Sequence, residues 1–433
     1  MKEKNKEKEG RMETEQRKVK KHARKSTWLI WLCWLVYMCS YLGKVNYSAN
    51  ITQIETFFKV THAQAGTVST FFFFAYGAGQ IFNGVFCKKY NVKYVVFGGL
   101  LVSGACNLGV AFLRDFAPIK YLWLVNGAAL SVLWPSLIRL LSEKLKREDM
   151  IRASVIMGTT VAIGTLVIYG LSALFVALNV FKFAFYTAAI LVPAIALVWL
   201  FAFGKLTSRT ESEEDDSLDL DATPVKIGAQ SKQKTSKKAL TTIVIFCFFA
   251  VATNLVAEGI NTWLPSILKE TYHLSDSLSI LLTLLMPLVA VFGNFFANML
   301  YQKLRDFVLL CGVLFLGAGV LLGGIIGIIG AGFVVFTLIL FAFVRMLAGS
   351  SNSTITSIFP LQMKGKINSG LIAGVLNGCC YVGSTISSYG LGSVADSFGW
   401  LAVFYLLLGV CGAVVLVAFV YVLINKLSRG KKE

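Results

Sequence analysis

Three charged side chains stand inside long apolar stretches of this sequence: Lys44, Glu258 and Arg345. An ion in hydrocarbon is expensive, so such groups face a protein interior or a water-filled cavity and pair with one another or with a ligand. A lysine and an arginine suit an anion. A carboxylate among them suits a cationic part of a ligand or a coupling proton. Around these charges the spacing is helical. Tyr37, Tyr41, Lys44 and Ser48 recur at i, i+4, i+7 and i+11, and Asn254, Glu258, Asn261 and Pro265 do the same, so each quartet shares one helix face. The substrate-binding candidates are Tyr41, Lys44, Asn46, Glu258, Asn261 and Arg345. The plainer reading is a Lys44–Glu258 salt bridge that holds two helices in one state.

Other chemistries lack their residues. No Gly-x-x-x-x-Gly-Lys-Ser/Thr occurs, so ATP drive within the chain is not expected. The nine cysteines fall mostly in apolar stretches without paired spacing, which argues against a disulfide framework or a zinc site, and no cofactor is implied. A membrane enzyme needs His, Asp, Cys or Ser constellations and loops large enough to shape a site, whereas the outward loops here are short and the one long loop is low in such residues. His62 and His273 read as solvated loop residues. Arg139, near a helix end, reads as snorkelling to headgroups. The Phe71 to Phe74 run reads as lipid-facing and interhelical packing.

The elements that position these residues follow from composition. Of 433 residues, 56% are hydrophobic and only 15% charged. Apolar runs of roughly 20 residues, the length that crosses a bilayer core as a helix, recur along almost the whole chain. They predict twelve transmembrane helices, near 27–50, 64–86, 94–112, 118–141, 153–177, 181–204, 239–265, 277–300, 307–328, 331–359, 368–391 and 400–425. The net charge of +18 is distributed by loop: with a cytoplasmic amino terminus, the outward loops hold only Lys59, Arg114, Lys120, Lys182 and Lys269. This positive-inside pattern predicts a multi-pass protein of the plasma or inner membrane with both termini cytoplasmic. The basic balance is an orientation signal that also suits anionic lipid heads, and nucleic acid is not needed to explain it. A monomer is expected.

The segment 205–238, with mixed charge, Ser and Thr, breaks the hydrophobic pattern and reads as a cytoplasmic linker. The organisation is then a basic tail (1–26), a six-helix bundle (27–204), the linker, a second six-helix bundle (239–426) and a short tail (427–433). Weak words repeat in order across the two bundles. Glu55-Thr56-Phe57 answers Glu270-Thr271-Tyr272, Asn46 answers Asn261, Tyr-Gly-Leu occurs at 169–171 and 389–391, and Phe185-Tyr186 answers Phe404-Tyr405. A duplicated unit of this kind places a substrate near the midplane between its halves. Gly158, Gly164 and Gly170, with Gly374, Gly378, Gly383 and Gly390, are expected to permit close helix approach.

Six plus six helices about a charged loop resembles the major facilitator superfamily. Gly84-Val-Phe-Cys-Lys88-Lys89-Tyr-Asn91-Val-Lys93 is similar to that family's loop between helices 2 and 3, without its aspartate. Gly392-Ser-Val-Ala-Asp396-Ser-Phe-Gly399-Trp400 resembles the pattern of the last outward loop, and Asn126-Gly127 with Trp134-Pro135 that of helix 4. The resemblance implies coupling or gating roles for Lys88, Lys89 and Asp396, with Glu258 as a further coupling candidate. Tyr41-Leu-Gly-Lys44-Val-Asn46-Tyr-Ser-Ala and Gly259-Ile-Asn-Thr-Trp263-Leu-Pro265 are similar to the organophosphate:phosphate antiporters, over about residues 27 to 425. Departures bear on the substrate. The family's helix 1 arginine aligns with Lys44, which keeps charge but loses a two-pronged fork. Its helix 7 arginine aligns with Ala257, its helix 2 lysine with Gln80, and helix 5 holds no histidine.

The resemblance thus implies a secondary transporter for a small polar, anionic metabolite, phosphorylated or carboxylated, working by alternating access with a coupling ion or an exchanged anion. The alternatives are a ligand sensor that kept the fold without transporting, and a proton-coupled carrier of zwitterionic or neutral solutes.

Overall fold

A computed structural model describes residues 24–86, 90–207, 237–359 and 369–430 of the chain. Regular structure among them is helical. The first six rods are α1 (Arg24–Gly43, continued by Asn46–Ala49 and Ile51–Phe58), α2 (His62–Phe86), α3 (Val92–Phe112), α4 (Ile119–Lys144), α5 (Arg147–Gly158 and Thr160–Ala177) and α6 (Phe183–Thr207). The last six begin with α7 (Lys237–Tyr272), α8 (Asp276–Thr283, Leu285–Ala290 and Gly293–Leu304), α9 (Phe307–Ile328) and α10 (Val334–Ser353 with a π-turn over Thr354–Ile358). The continuous stretch Ser369–Gly430 holds two rods, α11 (369–398) and α12 (400–430), divided at Gly399, whose φ of 76° only glycine adopts readily.

Nine described helices are long and apolar enough to cross a membrane, and α8, bent by 42°, adds a tenth. One of the nine, Gly374–Ile424, runs for 51 residues, about 75 Å at 1.5 Å per residue, so it accounts for two crossings of a 30 Å core. With the 25-residue α2, the expected twelve rods are in place. The ends carry local signals. Asn91 accepts from the Lys93 N–H to start α3, and Asp306 accepts from Val308 and Leu309 to start α9. Two of the breaks are set by proline. Pro135 and Pro287 have no N–H for the carbonyls of Ser131 and Thr283, and α4 and α8 break there, after Ser131 and after Thr283.

Within the first six helices α2 packs on α4 and α3 on α6. Within the last six, α7 packs on α10 and α11, and α9 on α10 and α12. The two sets meet along α2 with α11, α5 with α8, and α1 with α7. Glycine permits close helix approach both between the sets and within one of them, but not at every expected position. A Cβ on Gly378 would lie 2.7 Å from Ile81 Cδ1, and one on Gly164 would lie 2.7 Å from the Met38 carbonyl oxygen, whereas Gly158, Gly170 and Gly374 face open space. Sequence spacing cannot separate these cases, since which helix lies opposite each glycine is a tertiary fact. The linker expected at 205–238 falls mostly outside the described residues, as do Lys88 and Lys89. Helix α6 continues to Thr207 and α7 begins at Lys237.

Candidate functional site

The chain is broken where Lys44 sits. In an unbroken helix the Tyr47 N–H would donate to the Gly43 carbonyl, but here it donates to Asn46 Oδ1 at 3.0 Å. The released Gly43 carbonyl accepts from Asn126 Nδ2 at 2.8 Å and Asn107 Nδ2 at 3.2 Å. Asn46 Nδ2 in turn donates to Asn107 Oδ1 at 2.7 Å. Irregular backbone at membrane depth survives only where protein groups satisfy it in this way. Gly43 itself has no room for a side chain: a Cβ would lie 2.8 Å from Ser103 Oγ.

The break turns Lys44 into a cavity of about 700 Å³ between the two sets of helices. Its ammonium lies 4.2 Å from the centre of the Tyr76 ring, 5.0 Å from Tyr41 and 5.9 Å from Phe72, an aromatic box that favours the cation. No carboxylate comes within 4.0 Å of it among the described residues. Across the cavity Arg345 Nη2 lies 3.5 Å from Glu258 Oε1. Asn261 ties the two together, accepting from Arg345 Nε at 3.2 Å while its amide lies 3.4 Å from both Glu258 oxygens. The ion pair in the cavity is therefore Arg345–Glu258, not the Lys44–Glu258 bridge that was the plainer reading.

The cavity reaches the end of the bundle where α6 stops and α7 starts, past Ser154, Gly158 and Asn377. The far end is closed by side chains that cross between the sets. His62 Nδ1 lies 2.9 Å from Glu55 Oε1, and His62 Nε2 lies 3.1 Å from Glu270 Oε1, so the repeat-related glutamates converge on one imidazole. Trp400 Nε1 donates to Glu270 at 2.8 Å, and the Trp263 and Trp400 rings pack against the histidine at 5.6 and 5.1 Å. Asp396 accepts from the backbone N–H groups of His62 and Ala63 at 3.0 and 2.8 Å, capping α2. Lys269 pairs with Asp276 at 2.8 Å, and Gln53 of α1 donates to the same carboxylate.

Glu55, His62 and Glu270 bring three potential metal-ligand atoms within 4.8 Å of one another. Each imidazole nitrogen, however, already addresses a different carboxylate. A single metal takes one histidine nitrogen, so the arrangement is that of a doubly donating imidazolium. Burial alone would lower the His62 pKa, but its hydrogen bonds to Glu270 and Glu55 and their charge outweigh burial and push it up to about 10. His62 lies ahead of the apolar stretch 64–86, outside the spanning core.

The expected site residues thus divide. Tyr41, Lys44, Glu258, Asn261 and Arg345 line the cavity, with Ser48 and Asn254 from the same two spacing patterns. Asn46 is fully buried and pins the helix break, and Tyr37 and Pro265 lie off the cavity wall. The reading of His62 as a solvated loop residue is corrected: it is the centre of the far-end closure. The phenylalanine run also splits, with Phe72 and Phe73 in the cavity wall and Phe74 63% exposed. Sequence reasoning missed Tyr76, whose ring lies against Lys44, and Tyr381, which packs on Tyr76 and lines the cavity. The available signal was spacing, since Tyr76 follows Phe72 by one helical turn.

The chain matches the family model described as Major Facilitator Superfamily over residues 33–367 and 247–433. It is similar to a probable hexose phosphate transport protein of Chlamydia pneumoniae, 22% identical over 396 residues that cover 82% of each chain. A shorter stretch of 98 residues is 24% identical to the membrane sensor protein UhpC of Escherichia coli strain K12, covering 23% of this chain and 22% of that one. Its fold is similar to that of a bacterial homologue of the human lysosomal transporter Spinster in an inward-facing and occupied conformation. The TM-score is 0.70 at 13% identity, over 92% of this chain and 97% of that one.

Proposed function

The chain belongs to the major facilitator superfamily, and from that premise we propose that it carries a small anionic metabolite across the membrane by alternating access, with Lys44 as the anchor of the anion. Membership supports a multi-pass secondary transporter rather than an enzyme. The observation that carries the reading of the substrate is Lys44 itself. It is a cation in the central cavity, held by aromatic faces and with no carboxylate within 4.0 Å among the described residues, while the other cavity cation, Arg345, is already paired with Glu258. A cation so placed favours a ligand that brings the missing negative charge.

In this reading residues 27–204 and 239–426 are the two units that rock about the cavity. The far-end closure and the opening beside the linker correspond to the inward-facing state of a protein with cytoplasmic termini. The driving partner is an exchanged anion or a proton. The test is uptake into proteoliposomes, together with a thermal-shift screen of phosphate esters, carboxylates, amino acids and neutral sugars, since a ligand that binds the folded state raises its melting temperature. Anion uptake that is lost in Lys44→Ala and retained in part by Lys44→Arg supports the reading. Stabilisation by neutral compounds alone, unchanged by Lys44→Ala, removes it. The local similarity to a sensor protein supports a second reading, ligand reception without transport, which binding without flux would identify.

A further inference from the structure

The charge of the cavity wall goes further than the presence of a cation. Among the described residues that line it, Lys44, Glu258 and Arg345 are the charged ones. Glu258 and Arg345 neutralise each other across 3.5 Å, and Asn261 bridges both. One uncompensated positive charge remains, and it belongs to Lys44.

We propose that the cavity is built for a ligand with a single net negative charge, such as a monocarboxylate or a phosphodiester, and that Glu258 is the residue that turns dianions away. The proposal rests on the reading of Lys44 as the anion anchor. The wall enforces this as follows. A monoanion set against Lys44 brings the cavity to neutrality and leaves the Arg345–Glu258 pair intact. A second charge on the ligand has to be met by Arg345. That takes the guanidinium from Glu258 and leaves a carboxylate uncompensated in a half-buried wall, where losing one partner of an ion pair is strongly unfavourable. The lysine adds to the selection. Its ammonium is a point charge rather than a fork, so it does not reward the paired oxygens of a phosphate dianion as an arginine would. The aromatic faces of Tyr41, Phe72 and Tyr76 around it, with Met286 and Pro287 elsewhere in the wall, suit the apolar body of a small organic acid.

The test uses the purified full chain and matched probes that differ by one charge, titrated at pH 8. Butyrate is compared with succinate, and the methyl phosphodiester of a hexose 6-phosphate with the parent monoester, which is dianionic there because its second pKa is about 6. The unmodified protein is expected to bind the monoanion of each pair at least tenfold more tightly. Glu258→Gln raises the wall to two net positive charges and is expected to close or reverse that ratio. The double variant Glu258→Gln with Arg345→Gln returns the wall to one positive charge and is expected to restore the monoanion preference. That restoration separates a charge effect from damage to the fold, which a gel-filtration profile and melting temperature also monitor.

Tighter binding of dianions by the unmodified protein, with binding still dependent on Lys44, overturns this proposal and leaves the anion-transport reading standing. A ratio unchanged in Glu258→Gln also overturns it. Absence of any Lys44-dependent anion binding removes both.

Discussion

Replacing Gly66 by alanine places a methyl group where α2 and α11 touch. A Cβ on Gly66 would overlap the Ser388 carbonyl oxygen, lying 2.8 Å from its carbonyl carbon and 3.0 Å from Trp263 Cζ2. Non-bonded carbon atoms rest about 3.5 Å apart or more, so the two helices must separate by roughly half an ångström or more. A backbone carbonyl cannot rotate away as a flexible side-chain tip can. Overpacking of this kind costs about 1–3 kcal/mol in a rigid core. In a protein with two packings of its halves, the same strain is relieved by leaving the packing that is strained. The far-end-closed state should therefore lose population by roughly 5- to 150-fold relative to the open one. The control is Gly98→Ala on α3. A Cβ there meets nothing within 4 Å, so the substitution should stabilise by about 0.5–1 kcal/mol through helix propensity alone. The assay is a spin-label distance distribution between Phe57→Cys and His273→Cys, one on each side of the far-end junction. The Gly66 variant should show a longer, separate population, and the Gly98 variant the parent distribution with a raised melting temperature. An unchanged distance and an unchanged melting temperature in Gly66→Ala would refute the claim that this contact discriminates between states.

The other outcomes concern the closure, the break in α1 and the charged wall. When the far end opens, His62 leaves both carboxylates and returns towards the ordinary histidine pKa of about 6.5, so its stabilisation of the closed state is full below that pH. It is lost as the pH rises towards about 10. The same spin-label distance should therefore lengthen between pH 7 and 10 in the parent and stay flat in His62→Gln. Asn46→Ala leaves the Tyr47 N–H and one acceptor on Asn107 without their partners, at about 1–3 kcal/mol each, and should lower the melting temperature while leaving ligand preference unchanged. Lys44→Ala should abolish the thermal stabilisation given by an anion, as read in the thermal-shift screen. Arg345→Gln, which strands Glu258 on the wall, should weaken anion binding by at least tenfold in a titration at pH 8.

The helices were legible because bilayer thickness and backbone hydrogen bonding impose a length and an apolar composition that no later folding event alters. The same constraint made Lys44, Glu258 and Arg345 conspicuous, since intramembrane charge has few structural uses. Helical spacing carried the faces of α1 and α7 as far as Tyr41, Lys44, Ser48, Asn254, Glu258 and Asn261, which all reach the cavity. The repeat match of Asn46 to Asn261 did not carry over to the cavity, because the helix is not continuous at Asn46. Asn46, Asn107 and Asn126, distant from one another in sequence, satisfy the broken backbone, which turns Asn46 to Asn107 rather than to the cavity, while Ser48 beyond the break still reaches it.

Partner choice lay beyond the sequence altogether. Both Lys44 and Arg345 are cations that Glu258 could have taken, and the packing of α7 against α10 gave it to Arg345. Likewise Glu55 and Glu270 were recognisable as repeats of one another, but nothing in either word says that both close on His62. By itself, the sequence determined the number of helices, the charges that matter and the family resemblance, because these depend on composition and local spacing. Which charge is paired, which glycine touches a neighbour and which end of the bundle is shut depend on how helices far apart in the chain meet, and only the tertiary structure decided them.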